Sequence, residues 1–251
     1  DTTTRGSVNT VRDHYDEFLG SVYSWILGDF DTARQLNESF FSSLKLAPRD
    51  GAVAVDLGSG PGCQSLPLAE LGYKVVAIDF CQSLIDELER HADALAVTAI
   101  CDDISGFPQH LSEPPQLIVC MGDTLVHLPD EATVFGILDE VCESLAPGGR
   151  FIYAIRDYMS FVPGGAERFI PIRSSDNRIF TCFLDYQADV VHVHDILHER
   201  HGDEWRMSIS DYRKLRLDSA AVDARLVAGG LEIASRTESD GMLVGIAEKP
   251  R

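Results

Sequence analysis

The stretch that decides the fold is Ala52-Val-Ala-Val-Asp56-Leu57-Gly58-Ser59-Gly60-Pro61-Gly62. An apolar run of strand character enters three alternating glycines, and a helix-forming segment from Ser65 to Leu71 follows. A glycine loop between strand and helix lets backbone N–H groups approach a ligand closely, where a Cβ would collide with it. A dinucleotide loop of the GxGxxG type starting at Gly58 needs Gly or Ala at the position of Cys63. The spacing present is GxGxG, with Asp56 two residues ahead. That acid sits poorly beside a pyrophosphate and better beside a cationic group.

Working outward, short apolar runs bounded by Gly or Asp alternate with helical segments. Lys74 to Asp79, Ala96 to Cys101, Leu117 to Met121 and Arg150 to Ile155 read as strands. Ser83 to Arg90 and Asp130 to Leu145 read as helices, the second stopped by Pro147-Gly148-Gly149. Continuous apolar strands separated by helices indicate a parallel sheet covered on both faces. Ahead of it, residues 8 to 46 read as helical, with apolar spacing over Asp13–Leu19 and Arg34–Leu46 around an aromatic, Gly-broken turn or lid from Tyr23 to Asp31. Behind it, Ile179 to Leu184, Val190 to Arg200 and Trp205 to Leu217 read as strands, the last two joined by a Gly202-Asp203 hairpin. Ser219 to Ala228 is a helix closed by Gly229-Gly230, and Met242 to Lys249 a final strand. The expectation is one domain over 1–251: a helical lid (1–46), a ligand-binding core (52–158), an antiparallel addition (159–218) and a return to the core sheet (219–251).

The 251 residues are 45% hydrophobic and 24% charged, enough for a sizeable core. The net charge of -19 opposes phosphate backbones and anionic lipids, which argues against nucleic-acid and membrane partners; the substrate expected is a small molecule, as the resemblance below implies. No apolar run approaches membrane-spanning length, and the polar DTTTRGSVNT start lacks a signal-peptide layout. The six cysteines have no CxxC spacing, so a zinc ribbon or redox motif is not indicated, and a reducing, cytoplasmic setting is expected. The oligomeric state is left open.

The acid-GxGxG loop, Asp79 ending the second strand and Asp102-Asp103-Ile104 after the third together resemble the three leading motifs of class I S-adenosylmethionine (SAM)-dependent methyltransferases. The resemblance implies a Rossmann-like, mostly parallel α/β sheet and SAM as cofactor. Asp56, Gly58, Ser59, Gly60 and Gly62 would surround the methionyl end, Asp56 meeting its amino group. Asp79, with Phe80, would take the ribose hydroxyls, and Asp103, or Asp102 as fallback, with Ile104 the adenine.

Within this class, Leu117-Ile-Val-Cys-Met121-Gly122-Asp123-Thr124-Leu125-Val126-His127-Leu128-Pro129-Asp130 and Arg156-Asp157-Tyr158 are similar to segments of the glycine N-methyltransferase-like enzymes. His14 to Phe18 with Trp25 to Asp29 resembles their aromatic lid, although Phe18 and Ile26 replace its tyrosines. The resemblance implies cofactor contacts from Met121, Gly122, Tyr23 and Trp25, and acceptor-side roles for Asp123, His127, Arg156 and Tyr15. Arg156 would grip a substrate carboxylate, or pair with Asp157 or another acid. Asp123 replaces the family's Asn; its added charge would favour a cationic or amine acceptor, or hold the SAM ammonium. An amine needs only to arrive neutral, whereas a hydroxyl needs a base, for which His127, Asp123, Tyr15 and Tyr158 are candidates. The expected activity is methyl transfer to an amine or amino-acid nitrogen. Alternatives are an oxygen or sulfur acceptor, a non-catalytic SAM-binding module and, disfavoured by Cys63, an NAD-dependent oxidoreductase. Alternation places His192, His194 and His198 on one strand face, a pattern that fits a solvated face better than a metal site, and no metal ligand is assigned.

Overall fold

The structure, a computed structural model, describes residues 9–160, 164–239 and 241–251. Residues 1–8, including the expected helix start at residue 8, lie outside the described residues.

Seven strands form the main sheet: β1 (Val53–Leu57), β2 (Lys74–Asp79), β3 (Val97–Cys101), β4 (Leu117–Cys120), β5 (Arg150–Arg156), β10 (Glu232–Ser239) and β11 (Met242–Glu248). Their order is β10-β11-β5-β4-β1-β2-β3, parallel from β5 to β3, with β11 antiparallel to both β5 and β10. Every residue of β1 and β4 is buried, the signature of strands covered on both faces. Val53, Val55 and Leu57 join the core beneath α6 (Glu131–Ser144) and α7 (Ser219–Ala228). Ala54 faces the opposite layer of α3 (Phe30–Ser43), α4 (Ser65–Glu70) and α5 (Gln82–Ala92). Each fully buried Leu or Ile there contributes about 1.5–3 kcal/mol. The strand order reverses between β1 and β4, so their C-terminal edges open a crevice suited to a ligand.

A second sheet, order β6-β7-β8-β9, is antiparallel and comprises β6 (Phe169–Ser174), β7 (Arg178–Tyr186), β8 (Val190–His201) and β9 (Glu204–Leu215). Burial alternates along most of β8, as in a sheet with one covered face. Val191, Val193 and Tyr212 from its covered face belong to the main core.

Two strands escaped the sequence reading, each for a physical reason. β6 carries Pro171 beside a register shift, and Pro is tolerated only at such an edge strand or bulge. β10 is a polar edge strand without the apolar alternation that marks a half-buried one. The N-terminal helix is also broken more often than expected. α1 (Val11–His14) runs into a π-helical turn (Tyr15–Leu19), and α2 (Tyr23–Leu27) occupies part of the expected turn. Gly28 at φ 104° and the N-cap Asp29, whose carboxylate accepts from Thr32 N, then start α3 four residues before Arg34.

Candidate functional site

A cavity of about 680 Å³ lies at the C-terminal edges of β1, β2 and β4, roofed by residues from the N-terminal segment. Gly58, Ser59, Gly60 and Pro61 line it, with φ of 76° and 52° at the two glycines. A Cβ on Gly58 would lie 2.5 Å from Thr124 Cγ2, so the loop can pass there only without a side chain. Ser59 is 1% exposed and its Oγ is without a hydrogen-bond partner among the described residues. Such an orphan beside a cavity suits a polar ligand group. Gly122, at φ 69°, would project a Cβ into open space along the same wall.

Asp79 ties the loop to β2, its Oδ2 accepting from Gly60 N and its Oδ1 from Cys81 N, both at 2.9 Å. Burial raises its pKa, and the two backbone bonds oppose that rise. Each oxygen keeps a second lone pair toward the cavity wall it lines. Asp103 caps the 3₁₀ turn Ile104–His110, its Oδ1 accepting from Ser105 N and Oγ, and it lines the cavity with Ile104. Asp102, the fallback, does not line the cavity. It accepts from Gln109 Nε2 and bonds His110 Nε2, because successive residues of extended chain point to opposite sides.

Phe80, Met121, Tyr15, Tyr23 and His127 also line the cavity. The Tyr15 ring meets Phe80 edge-on at 5.4 Å and His127 at 6.2 Å. Burial pushes the Tyr15 phenol well above its ordinary value, and Tyr23 and Cys63 up to about 12 each. His127 Nδ1 lies 2.9 Å from the Asp123 carbonyl oxygen, which can only accept, so Nδ1 carries the hydrogen and Nε2 is left as the acceptor. Burial, reinforced by Lys214, pulls the His127 pKa down to about 4, so the ring is neutral at neutral pH.

Five expected positions lie elsewhere. Asp56 is 1% exposed, does not line the cavity and takes a 2.6 Å bond from Ser65 Oγ inside the fold. Its desolvation raises the pKa to about 7. Gly62 packs against α5, where a Cβ would sit 3.0 Å from Leu88 Cγ. Trp25 joins the second-sheet cluster with Arg173 and Arg178 over its ring, since residues two apart on a helix cannot share the face that turns Tyr23 to the cavity. Arg156 donates its backbone N–H to Asp123 Oδ1 at 2.7 Å, and its exposed side chain does not line the cavity. Asp123 is 4% exposed, in the left-handed region at φ 73°, and is turned away from the cavity onto Lys214 Nζ at 2.9 Å. Burial alone would raise its pKa, but the Lys214 ammonium leads the groups that leave it below the ordinary carboxylate value. Lys214, which burial alone would lower, is held well above its own by Asp123. Tyr158 is buried against the same carboxylate, its hydroxyl 3.4 Å from Asp123 Oδ2.

The second sheet supplies groups that no motif flagged. Tyr212 stacks on His14 at 4.2 Å and on His127 at 5.6 Å. His14, fully buried, anchors the roof, with Nδ1 2.8 Å from Ser210 Oγ and Nε2 3.1 Å from Asp195 Oδ2. Only the alternation of β9 hinted at this, by placing Ser210, Tyr212 and Lys214 on one face. Arg12, Arg213, Leu215, Val190, Leu128 and Pro129 also line the cavity. On β8, His192 bonds Asp211 Oδ2 at 2.7 Å and lies 4.5 Å from the His194 ring. Among the described residues no group of three or more His, Cys, Asp or Glu is placed to hold a metal, and no helix is long and apolar enough to cross a membrane.

Residues 54–149 match a protein family described as Methyltransferase domain. The ubiquinone biosynthesis O-methyltransferase of Methylococcus capsulatus is 32% identical over 107 residues, 41% of this chain and 43% of that protein. The cypemycin N-terminal methyltransferase of a Streptomyces species is 27% identical over 120 residues, 48% of each. The chain thus spans less than half the length of these curated relatives. A solved S-adenosylmethionine-dependent methyltransferase from Clostridium acetobutylicum superposes with a TM-score of 0.73 at 18% identity, over 94% of this chain and 99% of that one. Residues 54–149 are therefore similar to that family, and the chain shares its Rossmann-like fold with the solved methyltransferase.

Proposed function

We propose that the chain binds SAM in this cavity and transfers its methyl group to the nitrogen of a small-molecule amine, with the core, the N-terminal roof and the second sheet acting as one unit. One observation carries the acceptor assignment: apart from Asp79 and Asp103, which are assigned to the cofactor, no described lining side chain is a strong base near neutrality. Tyr15, Tyr23 and Cys63 hold their protons, and His127 at about 4 is too weak a base to ionise a hydroxyl. An amine brings its own lone pair.

The residues fit the cofactor. Ser59 Oγ and the loop N–H groups would hold the methionyl end, Asp79 the ribose, and Asp103 with Ile104 the adenine. Bound SAM supplies a methyl on a sulfonium, an electrophile with a good leaving group. His127 Nε2 would accept an amine N–H and turn the nitrogen lone pair toward the methyl. The aromatic wall of Tyr15, Tyr23 and Phe80 would exclude water and place a π-face near the cationic centre. The known activities of the matched relatives include both oxygen and amino-terminal acceptors by name, so the acceptor atom is the point to test.

Calorimetry with SAM and with its demethylated product tests the first half, and failure to bind either rejects it. A labelled-methyl screen over amines, phenols and thiols tests the second. Transfer to phenols or thiols alone would replace the nitrogen reading.

A further inference from the structure

We propose that the acceptor also carries an anionic group, a carboxylate or a phosphate, and that Arg213 is the specificity-determining residue that holds it. The inference rests on the methyltransferase reading and names the substrate class of the same cavity.

The charges lining the cavity are few and unequal in their commitments. Asp79 and Asp103 lie at the expected ribose and adenine end, and each already accepts two bonds from loop or turn donors. Arg12 is engaged with Phe80, donating to its carbonyl oxygen at 3.2 Å with its guanidinium 5.0 Å from the ring centroid. Arg213 is different. It lines the cavity from β9 beside Leu215 and Val190, and its side chain makes no ion pair or hydrogen bond among the described residues.

Its local competitors are removed by the structure. Asp211, two residues earlier on the same face of β9, is bonded by His192 Nε2 at 2.7 Å, and His192 is the cross-strand neighbour of Arg213. Asp123, expected to bring negative charge to the acceptor, is instead neutralised by Lys214 and does not line the cavity. Arg213 therefore presents to the cavity a guanidinium that no carboxylate bonds, beside the apolar Leu215 and Val190. Such a site attracts an anion, and a planar guanidinium grips a carboxylate or phosphate through two parallel bonds. The same charge disfavours protonation of a nearby amine, which keeps the nucleophile neutral.

The protein saturated with demethylated SAM is titrated calorimetrically with inorganic phosphate and, separately, with propionate. One of the two should bind, and which one does identifies the anion. Arg213→Gln should weaken that binding about tenfold or more, and Arg213→Lys, which keeps charge but not the fork, should lose less. Affinity for demethylated SAM should be unchanged in both variants. Arg213 is exposed, so both variants should fold. Absence of binding by both anions to the wild-type complex, or equal binding by Arg213→Gln, overturns the proposal and leaves the methyltransferase reading intact. Failure of demethylated SAM itself to bind defeats that reading, and this proposal with it.

Discussion

Asp56 in the parallel core and Asp123 at the junction with the second sheet are 1% and 4% exposed, yet they titrate in opposite directions. Asp56 has a neutral Ser65 hydroxyl for company and is raised to about 7. Asp123 has the Lys214 ammonium, delivered from β9 across 91 residues of sequence, and is lowered. The core builds its part of the site from backbone: loop N–H groups, strand ends and glycines with positive φ. The second sheet contributes individual side chains, Lys214, Tyr212 and Arg213, that set charge and stacking beyond the glycine loop. The cofactor recognition and the acceptor recognition proposed above thus fall to regions with different physics.

The sharpest way to break this contrast is at Lys214. Lys214→Met leaves Asp123 as a buried charge without its cation and should cost about 3–5 kcal/mol in denaturant unfolding. Adding Asp123→Asn should recover most of that, since Asn tolerates the left-handed backbone at this position. A double variant as unstable as the single one would refute the pairing. Because the folded pKa of Asp123 is depressed, its stabilising contribution is present above the ordinary carboxylate pKa and is lost as pH falls through the folded value.

Asp56 should behave oppositely. Its folded pKa is raised to about 7 from 3.8, so its contribution is fully present below about pH 4 and is lost as pH rises through 7. Wild-type stability should therefore drop across that window relative to Asp56→Asn, by on the order of 2–4 kcal/mol. Parallel pH profiles of the two proteins would show that Asp56 does not titrate abnormally.

Within the glycine loop, Gly58→Ala forces a Cβ against Thr124 at a backbone angle that disfavours side chains, and should cost about 1–3 kcal/mol in stability. SAM affinity should fall roughly a hundredfold as the loop shifts, about 2.7 kcal/mol. Asp79→Asn replaces one acceptor of the Gly60–Cys81 clamp with a donor, and should weaken SAM binding by about 1.5–3 kcal/mol, read by calorimetry. The smallest effect belongs to His127→Phe, which keeps a ring against Tyr212 and removes Nε2. Loss of one neutral hydrogen bond of about 1 kcal/mol should lower kcat/KM roughly fivefold with SAM affinity unchanged. Lost SAM affinity would instead mark His127 as part of the cofactor's binding surface.

The alternation of buried strands and helices and the glycine loop were legible because they are local. Val53 to Gly62 declares strand, turn and close approach within ten residues, and the acids at 79 and 103 follow at strand ends. The residues placed differently from the sequence reading turn to partners that no motif names. Asp56 turns to Ser65, Trp25 to Arg173 and Arg178, and Asp123 to Lys214. The edge strands β6 and β10 went unread because an edge needs no apolar alternation and tolerates Pro171.

By itself the sequence determined the parallel core and the place of the nucleotide-type crevice, since strand periodicity and glycine torsions are properties of neighbouring residues. Only the tertiary structure decided which charges face the cavity. The buried Lys214–Asp123 pair, the His14–Tyr212–His127 stack and the uncommitted Arg213 are set by the docking of one sheet on another, and desolvation and Coulomb attraction act through space, not along the chain.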